Sequence, residues 1–408
     1  VARRYTVDKY LDDLESRYGG IDSVLFWYVY PNVGIDDRNQ FELIHDLPGG
    51  LEGLRGAVAD FQKRGVRVFL PTMPWDQGTR PYEKRDWEMM ADLVEALGAD
   101  GSNGDTYSGV PRAFFDACDK RGRPVVLQPE STVHAGDHIL PWNVQSWIKK
   151  VPADVVPSVL KYKWLEPRHI TQIENRWSRD RNNDLQTAFF NGIGYVAWES
   201  IWGFWNPLTP RDAEALRRMA TIFRQFASLI VSPDWTPYEK TLQAGVFSSR
   251  FPGEDSTLWT VVNRNEYDVE GEQLALAHTA GSQYFDVWNG VRLEPRIEGD
   301  KAILAAKLEG RGFGAFVSVA PSARATDLPE FIARMNERAR TPLRSLSAQW
   351  RALPQQLVPI ERTKPAAKAP AGMIEIPAAD FDFAVHGIEI EGETNEGLDV
   401  QYPWEGSA

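Results

Sequence analysis

Between residues 5 and 228 the chain switches repeatedly between two hydrophobic periods, and that alternation narrows the folds open to it. Val7, Tyr10, Leu11 and Leu14 recur at helical spacing and stop at Gly19-Gly20. Ser23-Val24-Leu25-Phe26-Trp27-Tyr28-Val29-Tyr30 then runs apolar without a break until Pro31, as a strand covered on both faces does in a parallel sheet. The pattern predicts helices over 51–64, 85–97, 111–120, 182–191 and 210–228. It predicts further strands over 66–71, 99–105, 124–128, 158–163 and 194–198. Repeated strand-then-helix units imply a parallel sheet with helices outside it. No glycine-rich phosphate turn follows the first strand, and polar residues gather at strand ends. The expectation is therefore a (β/α)8 TIM-type barrel and not an open doubly wound sheet, with strands not found here falling before Val1.

After about residue 233 short strands at 243–247, 258–263, 273–277, 284–288 and 313–319 alternate with Gly, Asp, Glu and Asn, the pattern of an antiparallel β-sandwich. The expected division is a catalytic barrel over 1–235, a sandwich over 236–322, and a helical segment with a Pro/Ala/Lys linker over 323–372. Residues 373–408 read as the start of another domain.

With 57 acidic against 45 basic residues, the net charge of −12 disfavours nucleic acid or an anionic membrane as partner. No apolar run approaches the roughly 18–20 residues of a membrane span. Cys118 is the only cysteine, which excludes a disulfide framework and a cysteine-based metal site; this suits a cytosolic protein and also a bacterial secreted or periplasmic one, the compartment the reading leans towards. The excess is aromatic: fifteen Trp, thirteen Tyr and nineteen Phe, many beside carboxylates and amides. Flat rings next to polar groups suit sugars, which have apolar C–H faces and polar rims. An oligosaccharide or glycoside is thus the expected partner, and no cofactor is called for.

Parallel barrels carry chemistry at the C-terminal ends of their strands. Those positions here hold Asn32, Asp36, Asp37, Trp75, Asp76, Asn103, Asp105, Glu130, Lys161, Lys163, Asp180 and Glu199. Carboxylates dominate, and nucleophile-elbow, zinc-protease and phosphate-loop motifs are absent. His134 and His138, four apart, are the best metal candidates, yet no metal is expected. Two carboxylates suffice for glycoside hydrolysis, one attacking or orienting water at the anomeric carbon and one protonating the departing oxygen. Chain spacing leaves retention or inversion open. The expected catalytic residues are Asp105, Asp180, Glu199 and, as a reserve acid, Glu130. Trp75, Asp76, Asn103, Lys161, Trp198 and Trp202 are expected to bind substrate. Lys161 and Lys163 alternate on the predicted strand 158–163, so they should share a face.

Gly65-Val66-Arg67-Val68-Phe69-Leu70-Pro71 and Leu97-Gly98-Ala99-Asp100-Gly101-Ser102-Asn103-Gly104-Asp105 resemble the third and fourth strands of the retaining α-glycosidase clan of glycoside hydrolase families 27, 31 and 36. Arg176-Trp177-Ser178-Arg179-Asp180, followed by Phe189–Gly194 and Tyr195-Val196-Ala197-Trp198-Glu199, is similar to the family 31 run around its general acid. The resemblance implies a retaining α-glycosidase with Asp105 as nucleophile, Asp180 as acid and Glu199 as a substrate-facing carboxylate. The segment from Met373-Ile374-Glu375-Ile376-Pro377 to Gln401-Tyr402-Pro403-Trp404-Glu405 resembles the opening of a formylglycine-generating-enzyme-like (sulfatase-modifying factor) domain, whose reactive cysteines have no counterpart here. Two rival readings stand beside the hydrolase: a non-catalytic carbohydrate-binding barrel, and an accessory module of a sulfatase-modifying-factor-like protein.

Overall fold

The computed structural model describes residues 4–28, 38–74, 76, 84–130, 136–148, 151–175, 180–201, 204–323, 327–350, 357, 359–362, 364–380 and 382. The first half runs α1 (Val7–Tyr18), β1 (Ser23–Leu25), α2 (Gly50–Lys63), β2 (Arg67–Thr72), α3 (Asp86–Leu97), β3 (Gly101–Gly104), α4 (Arg112–Asp119) and β4 (Val126–Pro129). It continues through β5 (Gln145–Ile148), α5 (Lys161–Leu165), β6 (Ile170–Glu174), α6 (Asn182–Asn191), β7 (Gly194–Val196), a two-strand ribbon of β8 (Ser200–Ile201) and β9 (Phe204–Trp205), α7 (Pro210–Gln225) and α8 (Ala227–Ile230).

Strands β1 to β4 form one parallel sheet and β5 to β7 another, each in chain order. β4 lies beside β5, so the two sheets make one surface. That surface is curled: a cavity of about 1550 Å³ is lined by residues of β1, β2, β4, β5, β6 and β7 together. Helices α2 to α4 bury their apolar stripes against its outer side, with Leu54, Val58, Met90, Val94 and Phe114 almost fully covered.

The second half is antiparallel. β10 (Thr236–Glu239), β11 (Val246–Pro252), β12 (Ser256–Asn263), β13 (Val269–Ala277), β14 (Gln283–Asp286), β15 (Val291–Leu293), β16 (Arg296–Glu298), β17 (Lys301–Leu308) and β18 (Phe313–Val319) precede α9 (Leu328–Ala339). The strands form two sheets, β10-β11-β12-β18-β14-β15 and β13-β17-β16. Trp259, Val261 and Phe316 of the first meet Leu274, Leu276 and Leu304 of the second in a shared core.

The two halves share a second core. Nine of the ten residues of α6 are buried, because this helix lies between the curled sheet and β11–β12. Phe189 stacks on Phe223 and meets Trp288 and Phe313 edge-on. Gln186 donates to the carbonyl oxygens of Asn263 and Gly312, which closes the polar groups that this burial would otherwise strand.

The strand expected over 158–163 is absent. Lys161 opens the short helix α5, its side chain is 63% exposed, and it pairs with Asp137 at 2.5 Å; the inward-facing substrate lysine is thereby corrected. Lys163 is buried but structural, donating to the carbonyl oxygens of Pro167 and Ile230. β5 and β6 occupy the strand positions between β4 and β7. Residues 364–380, apart from short bends and a turn near 367–372, carry no regular structure and are exposed, and residues 383–408 lie outside those described.

Candidate functional site

Parallel register sets the core of the site. Thr72, Gly104 and Pro129 are paired across β2, β3 and β4, so the next residues of β3 and β4, Asp105 and Glu130, emerge side by side. The ladder runs one step past the strands: the Asp105 N–H donates to the Thr72 carbonyl at 2.9 Å, and the Glu130 N–H to the Gly104 carbonyl at 2.9 Å. Gly104 is required here, since a Cβ would sit 2.6 Å from Val110 and 2.7 Å from Tyr107. Thr106 then turns into the left-handed region with φ +58°, unusual for a β-branched residue. Its N–H donates to Glu130 Oε2 at 2.7 Å. A strained turn therefore ties the loop carrying Asp105 to the carboxylate of Glu130, and both side chains are largely withdrawn from solvent.

Asp76 follows the β2 end. Its carboxylate accepts the Gln40 N–H, and the Gln40 side chain holds the Met73 backbone at both its N–H and its carbonyl. Among the described residues the buried Tyr28 hydroxyl has no hydrogen-bond partner; burial, and then the Asp76 charge, hold it in its neutral form.

Below these carboxylates runs a chain of amides. Asn103 Nδ2 donates to Gln128 Oε1 at 3.0 Å, and Gln128 Nε2 to Gln145 Oε1 at 2.9 Å; Gln172 Nε2 reaches the same oxygen at 3.4 Å. The four residues come from β3, β4, β5 and β6. Among the described residues Asn103 Oδ1 is buried without a hydrogen-bond partner. Gln145, Gln172 and Glu174, the last closing β6 and 1% exposed, were missed by sequence reasoning. The signal was present: Ile170-Thr171-Gln172-Ile173-Glu174 alternates at period two and is rich in β-branched residues.

Glu199 is buried, but both its oxygens accept Arg17 Nη1, at 2.8 and 2.6 Å, and Oε1 also accepts the Leu208 N–H at 2.8 Å. The pair joins α1 to the segment after β7, and both residues line the cavity. Trp198 packs edge-on against Trp147 across the cavity. Asp180 is exposed, and its Oδ1 accepts the Asn182 N–H at the start of α6. The structure thus gathers Asp76, Asn103, Asp105 and Glu130 and sets Lys161 apart. Trp75, Trp202 and His134 lie outside the described residues; His138 stands beside Trp142. Among the described residues no group of three or more His, Cys, Asp or Glu is placed to hold a metal ion, and no helix is long and apolar enough to cross a membrane.

Near α6 a second set of carboxylates is buried around Arg181. Burial pushes Asp184 up to about 6, partly offset by the amide of Asn175, and Asp212 is raised by the same cause.

No family model matches the chain, and no curated protein matches its sequence. Solved structures do share its fold. The gamma-CGTase of Alkalophilic bacillus clarkii superposes with a TM-score of 0.52 at 13% identity over 78% of this chain and 65% of its own. This chain therefore spans about two thirds of that protein's length. The alpha-amylase of Geobacillus thermoleovorans, solved with acarbose, gives a TM-score of 0.52 at 12% identity, over 78% of this chain and 92% of its own.

Proposed function

We propose that the chain is a glycosidase built on a (β/α) barrel, cleaving α-linked glycosides with retention, with Asp105 as nucleophile and Glu130 as general acid. One observation carries the reading: adjacent parallel strands end in register on these two carboxylates. Neighbouring strand ends about 4.8 Å apart bring the two carboxylates to one place, and the retaining outcome is taken from the clan resemblance of the β2 and β3 segments. Glu130 takes the acid role in place of Asp180, which is exposed and accepts the Asn182 N–H just ahead of α6. Asp76 and the amides of Asn103 and Gln128 supply polar contacts to a sugar ring, and Trp198 an aromatic face. The α-linkage is supported by the fold relatives, a gamma-CGTase and an alpha-amylase, and by the clan resemblance of the β2 and β3 segments.

The C-terminal stretch is read as the tethered start of a formylglycine-generating-enzyme-like domain. In support, Met373, Ile374 and Ile376 are 68%, 84% and 82% exposed, as apolar residues are when the core they belong to is not assembled around them.

The test is a panel of nitrophenyl α- and β-glycosides, with the first-formed product anomer followed by NMR. Cleavage of an α-glycoside giving the α-anomer is expected. Inversion would break the pairing of Asp105 with Glu130, and hydrolysis of β-glycosides alone would remove the α-assignment.

A further inference from the structure

Carboxylates outnumber cations in this chain, which carries a net charge of −12. Even so, Arg334 and Arg338, one turn apart on α9, form no ion pair among the described residues. Arg334 is exposed and lies over the Phe331 ring, its guanidinium carbon 5.8 Å from the centroid. Arg338 is half-buried, and its Nε is enclosed without a hydrogen-bond partner. Like charges four apart on a helix repel, and a cation withdrawn from water needs a counter-charge beside it.

The neighbouring helix adds to the excess. α7 packs against both α9 and α1. Arg218 of α7 is 2% exposed and fully engaged: Nε donates to Glu214 at 2.8 Å, and Nη2 to the carbonyl oxygens of Arg338 and Thr341 at 2.8 and 2.6 Å. It fixes the last turn of α9 against α7. Arg217 donates to the Ser16 carbonyl of α1, and its Nε stands 3.3 Å from Glu214 without a hydrogen bond to it. Glu214 is thus divided between two arginines. Burial, then Arg217 and Arg334, hold the Arg338 guanidinium below its ordinary range, against the pull of Glu214 and of Glu15 from α1. Four guanidinium groups therefore face two carboxylates.

We propose that Arg217, Arg334 and Arg338 bind a tetrahedral oxyanion, the phosphate or sulfate group of a free ion or of an ester, where α7 meets α9. Guanidinium forks pair bidentately with such oxygens. Three forks from two helices surround a tetrahedral group better than a planar carboxylate, which offers two oxygens. The anion supplies the missing counter-charge. By joining Arg338 to Arg217 it also braces the end of α9 that Arg218 already holds. The site shares no residue with the strand ends that carry Asp105 and Glu130, and it is independent of the glycosidase reading.

The experiment follows Tm of the 408-residue chain in rising inorganic phosphate, inorganic sulfate and glucose 6-phosphate, with chloride holding the ionic strength constant. Binding predicts a saturable rise of about 2 °C or more, whereas exclusion of these ions from the surface gives a rise that does not saturate. By titration calorimetry Arg338→Gln should weaken phosphate binding at least about tenfold. In chloride alone Arg338→Gln should be at least as stable as the parent, because it removes an unmatched charge. Saturation at a lower concentration of glucose 6-phosphate than of inorganic phosphate would identify an ester as the ligand, and the reverse order a free ion. The inference is overturned if none of the three anions gives a saturable rise, or if Arg338→Gln keeps the parent's affinity. It is overturned as well if Arg338→Gln lowers Tm in chloride, since a carboxylate of the chain would then already pair with Arg338.

Discussion

Replacing Glu130 by Gln separates proton donation from structure at this site. The Glu130 carboxylate accepts the N–H of Thr106, a residue whose left-handed backbone costs roughly 1–2 kcal/mol outside glycine. Gln keeps an oxygen of the same reach, so the turn loses only the charge assistance of one hydrogen bond, about 1 kcal/mol. The variant should stay folded. What it cannot do is protonate a departing oxygen. General acid catalysis contributes about 10²–10⁴-fold, or about 3–5 kcal/mol of barrier. That loss should depend on the leaving group. An alkyl glycoside or an unactivated disaccharide needs the proton and should slow by the full factor. A dinitrophenyl glycoside or glycosyl fluoride departs without one and should retain most of the parent rate. Asp105→Asn removes the attacking atom and should depress every substrate alike. The assay is kcat/KM for three leaving groups on parent and both variants, with circular dichroism to confirm folding. If Glu130→Gln slows activated and unactivated substrates equally, Glu130 is not the acid. If Asp105→Asn is rescued by the activated substrate, the two roles are exchanged.

Asp180→Asn should leave hydrolysis within about twofold of the parent, because Asn keeps an oxygen for the Asn182 N–H that Asp180 accepts; a hundredfold loss would return the acid role to Asp180. Lys161→Ala should leave the midpoint of urea denaturation and KM unchanged, since it removes one exposed ion pair; a clear shift in either would refute the exposed placement. Asp184 is raised in the folded protein to about 6 from 3.8. Between those values the folded state binds more protons than the unfolded one, so this group lowers stability as pH climbs from about 4 to 6. Asp184→Asn should flatten that fall and raise Tm at pH 7; a steeper fall would refute the assignment. Phe189→Ala should cost about 3–5 kcal/mol by denaturation, because the ring is fully buried among Phe223, Trp288 and Phe313 where both halves meet.

What the sequence determined by itself was everything that depends on local period. Apolar spacing located α1, α2, α3, α4, α6 and α7 within a few residues, because a helix buries one stripe and the stripe is written in neighbouring positions. Continuous apolar runs located β1, β2 and β4, and the switch to short polar-bounded strands marked where the antiparallel half begins. The placement of Asp105 and Glu130 at strand ends was equally local, since each sits one residue past its strand.

Only the tertiary structure decided the rest. Ser158–Lys163 looked like a strand because its alternation is compatible with one, but Lys163 instead reaches two backbone carbonyls far apart in the chain, Pro167 and Ile230, and a helical turn is what aims it there. The fold alone brings Arg17, 182 residues away, onto both oxygens of Glu199. Register across three strands, and no property of either residue alone, set Asp105 beside Glu130 and left Asp180 exposed ahead of α6. Such partnerships join positions that share no local pattern, so they exist only once the sheet has curled.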